Sequence, residues 1–325
     1  MHLYINTPGC RISVQQNEFM IKPPEGEIQR VPVGRVTCLY LQRSATISAE
    51  VAFAAAANDV DIQFVERNGK PVARLWINKF GSISVIRKQQ LAFSRHAAAV
   101  SWVQEILAEK VANQGALLLS VQGLSGGDIT GPASEKISAL QQRILALDEP
   151  LMQEAGPKLR PLEAAASKVY FQTLSQLLPA QYRFERRSQH PAADMFNAML
   201  NYAYGILYGR IEGALIRSGI DPYVGIFHRD EYNKPVFTFD VIERFRCWAD
   251  FVVTRLCQQE VIFIEFFEVE NGAFWLNAYG KRILIQAFED YLNEVVAFEQ
   301  LQRSRNTHLE LAAQKIAAFF KSGDW

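Results

Sequence analysis

Near residues 80–88 the hydrophobic period of the chain changes, and this change limits the possible folds more than any other feature. Upstream, short alternating runs separated by turn residues predict strands at LYINT, RISVQQ, EFMIK, RVTCLYLQ, DIQFVE and VARLWIN, with PPEGE and NGKP as turns. Only the alanine-rich stretch 44–58 breaks this rhythm, and it predicts a single helix. Downstream, from Ile86, apolar residues recur at helical spacing and strand alternation stops. The expected architecture is therefore two-domain α+β. A small β-rich domain with one helix occupies residues 1–84, and a larger all-α domain occupies 85–325.

Within the helical part, GLSGGDITGP at 123–132 predicts a connection and LDEPLMQEAGPKLRP at 147–161 a second break. A helix is then expected to open at Pro161 and stop before Pro179, which puts Glu163 in its first turn. Asp194 is placed to cap the next helix, which ends at Gly219. A further helix from about Phe239 to Gln259 should bury Val241, Phe245, Trp248, Val252 and Leu256. On it, Asp240, Glu243 and Asp250 would share one polar face, within about 60° of one another at helical spacing.

The 34 basic and 34 acidic side chains cancel, which argues against a protein that coats nucleic acid by bulk charge alone. They are unevenly spread. Residues 1–190 hold 21 Lys and Arg against 16 Asp and Glu, so a phosphate-binding face would draw mostly on that part. The candidates are Arg87, Lys88 and Arg95 near the domain link, Lys110 further along, and Arg183, Arg186 and Arg187 in RFERR. Cys10, Cys38, Cys247 and Cys257 form no CxxC pair and predict buried thiols rather than disulfides or a zinc site. With no apolar run long enough to span a bilayer, a cytoplasmic location is expected.

Glu163, His228, Asp240 and Glu243 are the candidate catalytic residues. Each has an ordinary alternative: an acid at a helix start, a loop imidazole bonded to a carbonyl, or a solvated helix face. Brought together, one imidazole and two carboxylates form a nitrogen and oxygen set suited to Mn²⁺ and tolerable for Mg²⁺, as phosphoryl transfer requires.

The runs DMFNAMLNYAYGIL, GIFH and FDVIERFR resemble consecutive motifs of the CRISPR adaptation integrases, the Cas-one family. The likeness extends upstream through PLEAAASKVYF, KVANQGALLL and RKQQLAF into the strand-rich start. It implies that Glu163, His228 and Glu243 bind a catalytic Mn²⁺ or Mg²⁺, with Asp240 as a neighbouring acid that binds or orients metal-bound water. Asn197 is expected to make a helix–helix hydrogen bond that places His228. The resemblance also implies a flexible link between the domains, and homodimers that flank a Cas-two family dimer. Such an assembly joins the 3′-hydroxyl ends of a short DNA duplex to the CRISPR repeat by transesterification. A stand-alone nuclease acting on branched DNA is an alternative reading. A non-catalytic DNA-binding scaffold, its ligand geometry spoiled by Pro161, is another.

Overall fold

Alternation in the first 75 residues produces two four-stranded sheets around one helix, as shown in a computed structural model that describes residues 1–75, 83–122, 129–189, 191–229, 231–298 and 300–325. The strands are β1 (His2–Ile5), β2 (Arg11–Gln15), β3 (Glu18–Lys22), β4 (Gln29–Pro32), β5 (Cys38–Gln42), β6 (Thr46–Ile47), β7 (Asp61–Val65) and β8 (Pro71–Arg74), and helix α1 spans Ala49–Ala57. One sheet has the order β4-β3-β2-β6 and the other β1-β5-β7-β8. In the second sheet β5 runs parallel to both neighbours, with Leu39 opposite Leu3 and Ile62. Phe19, Leu39, Leu41, Val51 and Ile62 fill the space between the layers. The last residues of VARLWIN, the start of the expected domain boundary and most of the glycine-rich connection lie outside the described residues.

The helical part comprises α2 (Ile83–Phe93), α3 (Ala98–Gln122), α4 (Thr130–Leu145), α5 (Met152–Leu177), α6 (Met195–Arg217), α7 (Val236–Ile242), α8 (Arg246–Gln258), α9 (Ala278–Asn293) and α10 (Arg305–Ser322). Helix α6 is the central member, buried along nearly its whole length. Asp194 caps it by accepting the Asn197 N–H at 2.7 Å, and Gly219 closes it at a φ of +83°, as expected.

Three expectations about this part need correcting. It is mostly helical but not all-α, since the hairpins β9–β10 (Phe267–Glu270, Ala273–Leu276) and β11–β12 (Val295–Phe298, Leu301–Ser304) interrupt it. Helix α5 starts at Met152, so Glu163 sits in its interior rather than in its first turn. Pro157 and Pro161 lie inside this helix, and each removes one backbone hydrogen bond and crowds the carbonyl four residues before it. The burial of Ala155 and Leu159 holds the first turns in place despite that loss. The expected helix 239–259 is in fact two, α7 and α8. The Arg244 and Phe245 amides reach back only three residues, to Val241 and Ile242, which turns the chain at Glu243.

The β-rich part docks on α6 through glycines. A Cβ at Gly205 would lie 2.7 Å from the carbonyl carbon of Gly69, and one at Gly209 would lie 2.5 Å from Gln63 Oε1. With no side chain in the way, Gln63 Nε2 donates to the Gly209 carbonyl at 2.9 Å. Buried ion pairs line the same seam. Arg74 contacts Asp61 at 3.0 Å and Glu212 at 3.5 Å, and Arg210 pairs with Glu289 while donating to Tyr4 Oη at 3.1 Å.

Candidate metal centre

Two of the predicted ligands meet at a buried ammonium. Glu163 on α5 and Glu243 at the α7–α8 turn both face Lys110 on α3, whose side chain is only 7% exposed. Lys110 Nζ lies 2.5 Å from Glu243 Oε2 and contacts Glu163 Oε1. Ser167, one turn along α5, donates to that same Glu163 oxygen at 2.9 Å. The other oxygen of Glu243 accepts Arg246 Nε at 2.9 Å, and Arg246 in turn donates to Tyr208 Oη and lies 4.9 Å from the Tyr204 ring centre. Burial alone would raise the Glu243 carboxyl, but Arg246 and Lys110 overcome it and bring the carboxyl down to about 2. Burial likewise works against the Lys110 ammonium, and Glu243 and Glu163 more than offset it.

His228 lies in the connection between α6 and α7, whose residues before it are held from three sides. Gln90 on α2 donates to the carbonyls of Asp221 and Val224 and accepts the Asp221 N–H. Arg160, one turn before Glu163 on α5, donates to the Phe227 carbonyl at 2.7 Å and stacks over the Phe227 ring. Asp240 accepts the N–H groups of Ile226, Phe227 and His228 at 2.7, 3.2 and 2.9 Å and the His228 Nδ1–H at 2.7 Å. Because a carboxylate can only accept, Nδ1 carries a proton, and in the neutral imidazole the free lone pair is then on Nε2. The His228 side chain is about one-third exposed, at 34%.

Asp240 is therefore spent on the loop, and both of its oxygens are occupied by chain donors. The shared polar face does not exist. Asp240, Glu243 and Asp250 are 2%, 4% and 1% exposed, and Asp250 is turned away to accept Tyr170 Oη at 3.0 Å and Tyr204 Oη at 2.6 Å. Asn197 does not touch His228. It bonds Arg187, the Ser188 N–H, the Arg186 carbonyl and Asp194, and so organises the 186–194 loop.

The basic candidates divide in the same way. Lys88 and Arg95 are exposed, and Arg87 is half-buried. Lys110 belongs to the acidic site rather than to a surface patch. Arg183 donates to the Leu178 and Gln176 carbonyls, closing the end of α5, and Arg187 is held by Asn197 and Asn201. Of the RFERR arginines, Arg186 is the exposed one whose side chain is not engaged in that framework. The four cysteines are free thiols, with Cys10, Cys38 and Cys257 buried. Among the described residues no helix is long and apolar enough to cross a membrane.

Among the described residues, no three His, Cys, Asp or Glu side chains are grouped so as to hold an ion, and the Lys110 ammonium lies between the two carboxylates. The donor chemistry nevertheless fits a divalent cation. Glu243 Oε2 is buried against the Lys110 charge, and among the described residues no hydrogen bond of good geometry reaches it. The two carboxylates already converge on one positive group, and His228 is fixed through Nδ1 with Nε2 left to donate.

The sequence profile described as CRISPR associated protein Cas1 matches residues 3–290. The chain belongs to the Cas1 family. It is similar to the CRISPR-associated endonuclease Cas1 1 of Archaeoglobus fulgidus, with 26% identity over 99% of this chain and 96% of that protein. Among solved structures, the fold is similar to that of a casposase bound to integration product, with a TM-score of 0.84 and 19% identity over 99% of this chain and 90% of that one. It is also similar to a Cas6-RT-Cas1–Cas2 complex, with a TM-score of 0.81 and 18% identity over 99% of this chain. There the match spans 35% of a much longer polypeptide. Sequence reasoning had not placed Lys110, Arg246, Arg160 or Gln90 at this Cas1-family site. Arg246 carried a signal, since it stands one helical turn after Glu243.

Proposed function

We propose that this Cas1-family chain is a metal-dependent DNA integrase of CRISPR adaptation, joining the 3′-hydroxyl ends of short duplexes to the CRISPR repeat by transesterification. The observation that carries this reading is the convergence of Glu163 and Glu243 on one buried cation, beside an imidazole fixed through Nδ1. Glu163, His228 and Glu243 would hold Mn²⁺ or Mg²⁺. When bound, such an ion supplies charge stabilisation at the scissile phosphate and favours ionisation of the attacking hydroxyl.

The chain's own residues prepare this chemistry. Arg246 keeps Glu243 ionised and aims it, Asp240 sets the His228 tautomer, and Arg160 ties the His228 loop to the helix that bears Glu163. Exposed Lys88, Arg95 and Arg186 are the phosphate contacts this reading favours. A homodimer formed through the sheet domains, flanking a Cas2-family dimer, is the assembly it implies. The fold likeness to the Cas6-RT-Cas1–Cas2 complex supports this partner.

The test uses a pre-formed duplex and a supercoiled plasmid carrying a repeat. Joined product should require Mn²⁺ or Mg²⁺ and a free 3′-hydroxyl, and should vanish with a chelator. Cleavage of branched DNA without joining would replace this reading with that of a nuclease.

A further inference from the structure

The position of Lys110 raises a problem for any ion that uses Glu163 and Glu243. Arg246 already occupies Glu243 Oε1, so the Glu243 oxygen left for a divalent ion is Oε2, which the ammonium touches, and the same ammonium contacts Glu163 Oε1. Metal–oxygen distances of about 2.0–2.1 Å for Mg²⁺ leave no room for an ammonium on the same atoms. Two cations a few ångströms apart in a buried site also repel strongly. Lys110 must therefore leave when metal arrives. The carboxylates are braced independently of it, Glu243 by Arg246 and Glu163 by Ser167, so they can stay while the flexible lysine stem swings away. A buried ammonium that loses both carboxylates needs a new anion, because leaving it unpaired is costly. A DNA phosphate at the site would provide one.

We propose that Lys110 makes metal loading conditional on DNA: its ammonium is the site's resident cation, displaced by the divalent ion and received by a phosphate of the bound duplex. This rests on the reading that Glu163 and Glu243 are metal ligands. The coupling is reciprocal, so metal tightens DNA binding by the factor by which DNA tightens metal binding. Without DNA, the lysine-closed state lowers the apparent metal affinity by the fraction of molecules that are open.

The test measures Mn²⁺ binding by the paramagnetic resonance of the free ion, on the full-length protein, with and without a duplex ending in 3′-dideoxy nucleotides that cannot be joined. Binding by the duplex alone is subtracted. In the wild type, the duplex should tighten Mn²⁺ binding about tenfold or more. Lys110→Met should bind Mn²⁺ about tenfold more tightly than the wild type without DNA and gain less than about twofold from the duplex. Lys110→Arg keeps the charge and grips carboxylates through a planar fork, so its Mn²⁺ binding without DNA should be weaker than in the wild type. This second variant decides the matter should Lys110→Met fail to fold. Equal tightening by DNA in the wild type and Lys110→Met, or Mn²⁺ affinity in Lys110→Arg equal to or above that of the wild type, would overturn the proposal. Glu243→Gln separates the two readings. If it binds Mn²⁺ as the wild type does, the metal site itself is misassigned. If it abolishes binding while the Lys110 variants match the wild type, only the role of the lysine is wrong.

Discussion

Asp240 holds His228 at two points, accepting its backbone N–H at 2.9 Å and its Nδ1–H at 2.7 Å through the same carboxylate oxygen. The imidazole can neither rotate nor change tautomer without breaking a bond inside the core.

Asp240→Asn should therefore lower strand joining by about 10–100-fold while leaving duplex affinity without added metal near normal. An amide presents its own N–H groups to the chain donors that the carboxylate accepts, so the loop loosens around His228. Joining time courses and duplex titrations on one preparation check this. Unchanged joining would show that the orientation of His228 does not matter.

His228→Ala and Glu243→Gln should each remove most of the joining activity, and the double variant should lose little beyond the worse single variant, because ligands of one ion act as a unit. Measured without added metal, duplex binding should persist in both single variants, since exposed Lys88, Arg95 and Arg186 lie outside the acidic cluster. Joining near wild-type rates in either single variant would count against the proposed ligand set.

Gly205→Ala should destabilise the protein by about 1–3 kcal/mol, the usual cost of overpacking a filled contact. The added methyl meets the backbone of Gly69 at 2.7 Å, and backbone yields less readily than a side chain. Denaturant melts give the comparison. A change below the error of the melts would show that the seam between sheet and helix is looser than drawn.

Lys281 provides a test by pH. Its ammonium is buried near the Tyr202 ring, 5.9 Å from the ring centre, and burial, with Arg67 nearby, lowers it from 10.5 to about 8. Between these values the unfolded chain binds a proton that the folded chain does not, so this group makes stability rise with pH through that window. Below pH 8 the buried charge carries its full cost. Lys281→Met should accordingly exceed the wild type in stability by most at pH 7, and the difference should shrink as the pH approaches 10. A difference that does not change with pH would mean that the lysine is solvated.

Local features were legible in the sequence and long-range ones were not. Strand alternation, the Asp194 cap and the Gly219 terminus involve neighbours within one turn, so residue type and spacing suffice to find them. The start of α5 was misplaced because proline's local preference for a first turn yielded to the packing of Ala155 and Leu159. Asp240, Glu243 and Asp250 were expected on a solvated face because charge is the only cue a sequence provides. Burial depends instead on partners such as Arg246, Lys110 and Tyr170. Lys110 reaches Glu163 across 53 residues, a pairing that no periodicity signals. Its sequence cue, a basic residue on a helix, suited a phosphate contact equally well.

The glycine contacts between the sheet region and α6 mean that packing relates the two parts to each other. A chain divided between Leu75 and Ile83 and expressed as two separate polypeptides would then retain the means to reassemble, with Gly205 and Gly209 serving as the address by which one fragment finds the other.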